Sequence, residues 1–211
     1  PALHCESTAS FIDASTSQSF IEHAHPTIQH PEVSMNELVL RLLPEIRDIK
    51  DESLRNGVAA CWEEAISYRG WTEELLRAIP FTLLASNVTI SFIDHVRAVC
   101  RMCLAVDDVL TEVHGAKKTP VNRDYLIAGS LLADAGKLFE YEIIDGISVK
   151  SDFGKHLRHP FSGVALAYKH GMPSQVMHVI ATHSKEGEGE KRLAESIIFH
   201  HCDFIDFDLV K

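Results

Sequence analysis

Asp134 has the setting that most needs explaining. It lies in Leu131-Leu132-Ala133-Asp134-Ala135-Gly136-Lys137, where an apolar run closes on an acid, a glycine and a lysine. A carboxylate on an apolar helix face is destabilising unless it is paired or holds a metal. Lys137, three residues on, offers an i,i+3 ion pair. Other residues of ligating type surround it in the sequence. His95 falls near the apolar side of a helical pattern, where alone it reads as a hydrogen-bonded core histidine. His159 precedes Pro160, and His183 follows Val179 and Ile180 at the end of an apolar helix. His200 and Asp203 share a helix face at i,i+3, a spacing that presents two ligands, or one ligand and the group that orients it. The chain has 13 histidines, several of them clustered, which points to metal chemistry.

The elements that must position these residues are helical. Ser34 is placed as an N-cap with Glu37 three residues on, followed by Leu38, Leu42 and Ile46 at helical spacing. A second helix is expected from Asp51 to Tyr68, stopping at Gly70, and a short one from Thr72 to Ala78. These carry Trp62 and Trp71 and read as packing scaffold. Ser91 caps a long helix to Val113, and Asn122 caps one running to Ala135. Residues 142–149 read as a small hairpin around Asp145-Gly146, and 152–158 as a loop. Pro160 favours an extended His159 before a helix from Phe161 to His170. Pro173 opens a helix to His183, and Lys191 starts the last one, to Asp208. The fold expected is all-α, a helical bundle over 34–211 with one hairpin, preceded by an N-terminal arm over 1–33. The arm's His23, His25 and His30 read as surface residues.

Composition narrows the function. The chain has 211 residues, 45% hydrophobic and 24% charged, ordinary for a globular domain with a sizeable core. Lys+Arg 20 against Asp+Glu 30 gives a net charge of −10, unsuited to a nucleic-acid polymer. No apolar run reaches membrane-spanning length and no signal peptide pattern opens the chain, so a cytoplasmic protein without membrane contact is expected. The 5 cysteines are scattered, and Cys100-x-x-Cys103 sits inside a helix pattern, which reads as buried thiols in a reducing compartment.

Taken in order, the local contexts resemble the HD-domain superfamily of metal-dependent phosphohydrolases. Asp94-His95-Val96-Arg97 sits mid-helix. Leu-Leu-Ala-Asp-Ala-Gly-Lys is similar to the family's Leu-Leu-His-Asp-x-Gly-Lys. His159-Pro160-Phe161-Ser162-Gly163 resembles its His-Pro-x-x-Gly element. Ile180-Ala181-Thr182-His183-Ser184 and Ile197-Ile198-Phe199-His200-His201-Cys202-Asp203 resemble the segments bearing the later histidine and the closing aspartate. The resemblance covers 90–208. It implies an HD-type bundle with His95, Asp134, His159, His183 and Asp203 as metal ligands, Asp134 bridging. Imidazoles and carboxylates without thiolates suit one or two divalent ions among Mn, Fe, Mg, Co, Ni and Zn.

The departure is Ala133, where the family pattern has a histidine. Alanine has no donor atom, so an ion sharing His95 and Asp203 loses a ligand, while Asp134, His159 and His183 keep theirs. A laboratory substitution, a natural one-metal variant and a naturally inactive binding domain all remain open. The activity implied is hydrolysis of a small phosphoester, nucleotide or cyclic-nucleotide-like, weakened or abolished by Ala133. Asp134 and Lys137 are the catalytic residues expected. Lys155, Arg158 and Lys185 are expected to bind substrate, and Glu140 and Glu186 to serve proton transfer or a substrate hydroxyl. The alternatives are an HD-fold di-iron oxygenase and a regulatory domain without turnover. A small-molecule substrate is the partner expected; self-association is left open.

Overall fold

In a computed structural model the described residues are 34–85 and 88–210. The expected arm and its three histidines lie outside them. The described residues form α1 (Met35–Leu42), α2 (Glu52–Arg69), α3 (Glu73–Ala78), α4 (Phe92–His114), α5 (Arg123–Leu132), α6 (Lys137–Glu140), β1 (Tyr141–Ile144), β2 (Ile147–Lys150), α7 (Asp152–His156), α8 (His159–Lys169), α9 (Ser174–Thr182) and α10 (Ala194–Asp208). The architecture is all-α with one small hairpin, as the sequence patterning predicts.

Local chemistry sets most boundaries. Ser34 and Glu37 exchange side-chain and backbone hydrogen bonds in a capping box at α1. Asp51, Ser91 and Asn122 each accept a backbone N–H at the start of α2, α4 and α5. Gly70 ends α2 at φ 65°. In the hairpin, Tyr141 pairs with Lys150 and Ile144 with Ile147. Asp145 and Gly146, both at positive φ, make its two-residue turn.

The main core joins α1 to α6 with α8 and α9. Trp62 and Trp71 are buried in it, and their indole N–H groups donate to the carbonyls of Leu131 (3.1 Å) and Leu138 (3.0 Å). The scaffold therefore holds the Asp134 stretch from behind at two points. A second, smaller apolar cluster joins α4, α5, α9 and α10 and contains Ala133, Val99, Cys103, Phe199 and Cys202.

Four boundaries differ from those expected, each for a visible reason. α5 stops at Leu132 rather than Ala135, because Trp62 occupies the Leu131 carbonyl and Ala135 N–H turns to Leu132 O instead. His159 is the first residue of α8, not an extended residue ahead of it. Arg158 takes the extended conformation, and a proline one residue into a helix sacrifices no hydrogen bond. Residues 152–156 form α7 under a Ser151 cap. α10 starts at Ala194 rather than Lys191, because Arg192 Nε donates to Thr182 O and Leu193 N–H to His178 Nε2, holding the chain extended along α9. Among the described residues no helix is long and apolar enough to cross a membrane.

Candidate metal centre

Asp134 sits in the turn between α5 and α6, 3% exposed. Its oxygens face different partners. Oδ1 lies 3.3 Å from His159 Nε2 at the start of α8 and 3.7 Å from His183 Nε2 at the end of α9. Oδ2 lies 3.1 Å from His95 Nε2 on α4 and 2.8 Å from Lys137 Nζ. His95 Nε2 is also 3.1 Å from Asp203 Oδ1 on α10. The five ligands expected from the sequence thus converge as two groups sharing Asp134: Asp134, His159, His183 and His95, Asp134, Asp203.

The imidazoles are held in fixed orientations. His183 Nδ1 meets the Ile180 carbonyl at 2.7 Å. A carbonyl only accepts, so Nδ1 carries the proton and Nε2 presents its lone pair inward. His159 Nδ1 lies 2.8 Å from Glu140 Oε2, and His95 Nδ1 2.6 Å from Asp206 Oδ2. In each case a group outside the cluster ties down one nitrogen and aims the other, as acceptors do behind metal-bound histidines. His159 Nε2 and His183 Nε2 are 3.2 Å apart. Two nitrogens each about 2.1 Å from one ion at a tetrahedral angle would be about 3.4 Å apart. Two lone pairs and a carboxylate oxygen facing one another call for a positive charge between them. The donor set therefore fits a divalent ion.

The titration directions follow from this crowding. Burial pushes the His159 imidazole down to about 4, so it stays neutral. Burial also opposes charge on His95, but the carboxylates of Asp134, Asp203 and Asp206 outweigh it and push it up to about 10. Burial disfavours the Asp134 carboxylate, yet Lys137 and the imidazoles hold it well below its ordinary range. Glu140, despite burial, is pulled down to about 2 by its hydrogen bonds from His159.

Gly136 lets these pieces meet: a Cβ there would be 2.2 Å from His159 O and 2.8 Å from Ser162 Oγ. Gly154 does the same for Glu140, since its Cβ would be 2.2 Å from Glu140 O. Phe81 stacks on His95 with ring centroids 4.2 Å apart, and its carbonyl accepts from Lys137 Nζ at 2.8 Å. The centre opens into a cavity of about 220 Å³, walled by Phe81, Leu83, Leu84, Tyr141, Phe204 and Phe207 and carrying Lys137, Lys150, Arg158 and Lys185.

The expected substrate-binding residues separate. Arg158 and Lys185 line the cavity. Lys155 does not: it is exposed on α7, 3.7 Å from Asp152. Its place is taken by Lys150, which the hairpin brings back to the cavity. Lys137 is buried with its ammonium already engaged by Asp134 and Phe81, so it neutralises the ligand rather than standing free. Glu186 pairs with Arg158 (3.2 Å) and with Ser184. His200 Nδ1 donates to His183 O at 2.6 Å and braces that residue's backbone. Ala133 is fully buried in the second apolar cluster and supplies no donor. Cys61, Cys100, Cys103 and Cys202 are buried and free; burial pushes the Cys61 and Cys100 thiols up to about 12.

Sequence spacing alone did not bring out Asp206, Lys150 or Phe81. Asp206 carried one signal, its i,i+3 relation to Asp203 on α10.

A 116-residue stretch, 54% of the chain, is 35% identical to the dihydroneopterin 2',3'-cyclic phosphate phosphodiesterase of Methanocaldococcus jannaschii. The match covers 45% of that protein, so the chain spans about half the length of this curated relative. No family model matches the chain, and no solved structure does.

Proposed function

We propose that the chain is a metal-dependent phosphoester hydrolase of the HD-domain type, acting on a small nucleotide-like or cyclic phosphate. The observation that carries this reading is the set of three imidazoles, each with Nδ1 tied down and Nε2 aimed at Asp134. The chemistry a divalent ion would supply there is a lowered pKa for a bound water and polarisation of a phosphoryl oxygen. The rest is the work of the chain's own residues. Asp134, His159 and His183 would hold the ion; His95 and Asp203 would form a weaker second group with Asp134, short of a donor at Ala133. Lys137 keeps Asp134 ionised. Lys150, Arg158 and Lys185 offer N–H donors to phosphate oxygens at the cavity mouth. Phe81, Phe204, Phe207 and Leu83 keep water from the remainder of the substrate. The relative's name makes a 2',3'-cyclic phosphate the first substrate to try.

Ala133 favours a second reading, in which the chain binds a phosphoester but turns it over slowly or not at all. Elemental analysis and a phosphoester panel, run on the chain and on Ala133→His, test both. The hydrolase reading expects a bound divalent ion in each and faster phosphodiester cleavage with the added histidine. No metal in either protein sinks both hydrolase and metal centre. Metal without cleavage in either leaves the binding reading.

A further inference from the structure

Glu140 is 1% exposed, at the end of α6, and is not itself one of the candidate ligands. Its Oε2 accepts from both the backbone N–H and Nδ1 of His159, each at 2.8 Å. One carboxylate oxygen therefore caps the N-terminus of α8 and fixes the ring of its first residue. Oε1 faces the other way, 3.4 Å from Arg158 Nη1 and 3.5 Å from Lys150 Nζ. Those distances are long for ion pairs, so both cations keep donors for an anion in the cavity. Gly154 leaves no space behind: a Cβ there would lie 2.8 Å from Glu140 Cγ. Ser151 N–H holds the Glu140 carbonyl at 2.8 Å. The side chain is boxed into one pose, with one oxygen on a metal ligand and the other between two anion-facing cations.

We propose that Glu140 is a positioning residue with two opposed effects: it aims His159 at the metal, and it restrains Arg158 and Lys150 so that they bind phosphate less tightly than they otherwise would. This rests on the metal-centre reading above. It replaces a proton-transfer role for Glu140, since Oε2 is committed to His159 and Oε1 lies between two cations.

The opposition supplies the test. Cobalt(II) is titrated into the metal-free chain and followed by its visible absorption. Inorganic phosphate is titrated separately into metal-free protein by calorimetry. In Glu140→Gln the amide keeps the shape but loses the charge, so cobalt affinity falls about tenfold. In the same variant phosphate affinity rises about threefold, because a competing negative charge has gone. A merely structural role lowers both. Cobalt affinity within twofold of the parent, or phosphate affinity falling together with cobalt, overturns the proposal. Should Glu140→Gln fail to fold, Glu140→Asp decides: one methylene shorter, it loses Nδ1 of His159 and cobalt affinity falls about tenfold, while an unchanged value overturns the proposal. A parent chain that takes up no cobalt overturns the metal centre itself; a parent that binds it beside a variant that binds equally well overturns only the role of Glu140.

Discussion

Oδ1 of Asp134 meets two imidazoles, whereas Oδ2 meets one imidazole and an ammonium, with Asp203 and Asp206 just beyond. On the first side the lone pairs face each other with no positive charge among them, and the backing groups, Glu140 and the Ile180 carbonyl, fix the tautomers. On the second side Lys137 already supplies a charge, and the position next to Asp134 is an alanine packed among apolar side chains. One carboxylate thus joins a half that needs a cation to a half that already holds one. The difference teaches that ligating residue types alone do not mark where a cation is called for. What matters is which lone pairs are left without a proton or an ammonium.

The most disruptive way to break the comparison is to remove what the halves share. Asp134→Asn leaves the buried Lys137 ammonium without its ion-pair partner. Stability falls by about 3–5 kcal/mol, as for a buried pair losing one partner, and metal uptake is abolished; thermal melting and elemental analysis read both. A melting temperature equal to the parent's would show that Lys137 is not the ion pair described.

Next come the halves themselves. His183→Ala should lower cobalt affinity by about 100-fold and His95→Ala by about tenfold, the range seen when a ligand or its support is lost. Equal losses, or a reversed order in the same titration, would erase the asymmetry. Ala133→His sharpens it from the other direction, by adding the missing donor. Cobalt stoichiometry should rise from one towards two, while melting drops by the equivalent of about 1–3 kcal/mol, because an imidazole must enter a filled apolar cluster. A stoichiometry that stays at one would mean that Lys137, not the missing donor, limits the second half.

At the cavity mouth, Lys150→Ala should raise KM for a phosphoester severalfold with kcat nearly constant, while Lys155→Ala should leave KM unmoved. The smallest effect sets a baseline far from the centre. Lys169 and His170 hold the Glu64 carboxyl below its ordinary value. Its contribution is present at neutral pH and lost as pH falls through the lowered value, so Glu64→Gln should flatten the acid limb of a stability profile. The pair is solvent-exposed, which keeps the effect below about 1 kcal/mol. A larger change would mean that this pair reaches into the core.

The convergence of the five candidate ligands was legible because each sits in a local context that carries its own signal: an inward helix face, a helix end, a residue beside proline. The helical fold was legible through caps such as Ser34, Ser91 and Asn122, whose side chains act within three residues. What escaped depends on chain crossings. Asp206 reaches His95 only because α10 packs across α4. Lys150 replaces Lys155 because a turn at Asp145-Gly146 folds the second strand back onto the first. Phe81 meets His95 because Phe92 N–H bonds to Ile79 O, bringing the chain before the loop against the start of α4. The early stop of α5 came from an indole on α2 competing for one carbonyl. None of these is a property of a local window.

The gap at Gly136 has a consequence for how the centre tolerates change. His159 belongs to α8 and Asp134 to the turn after α5, and the two backbones touch where a side chain is missing. A single methyl group there would act as a shim between two machined faces, driving His159 away from Asp134 while leaving every ligand chemically intact. Gly136→Ala should therefore be silent to any inventory of donor atoms and yet detune the coordination distance itself.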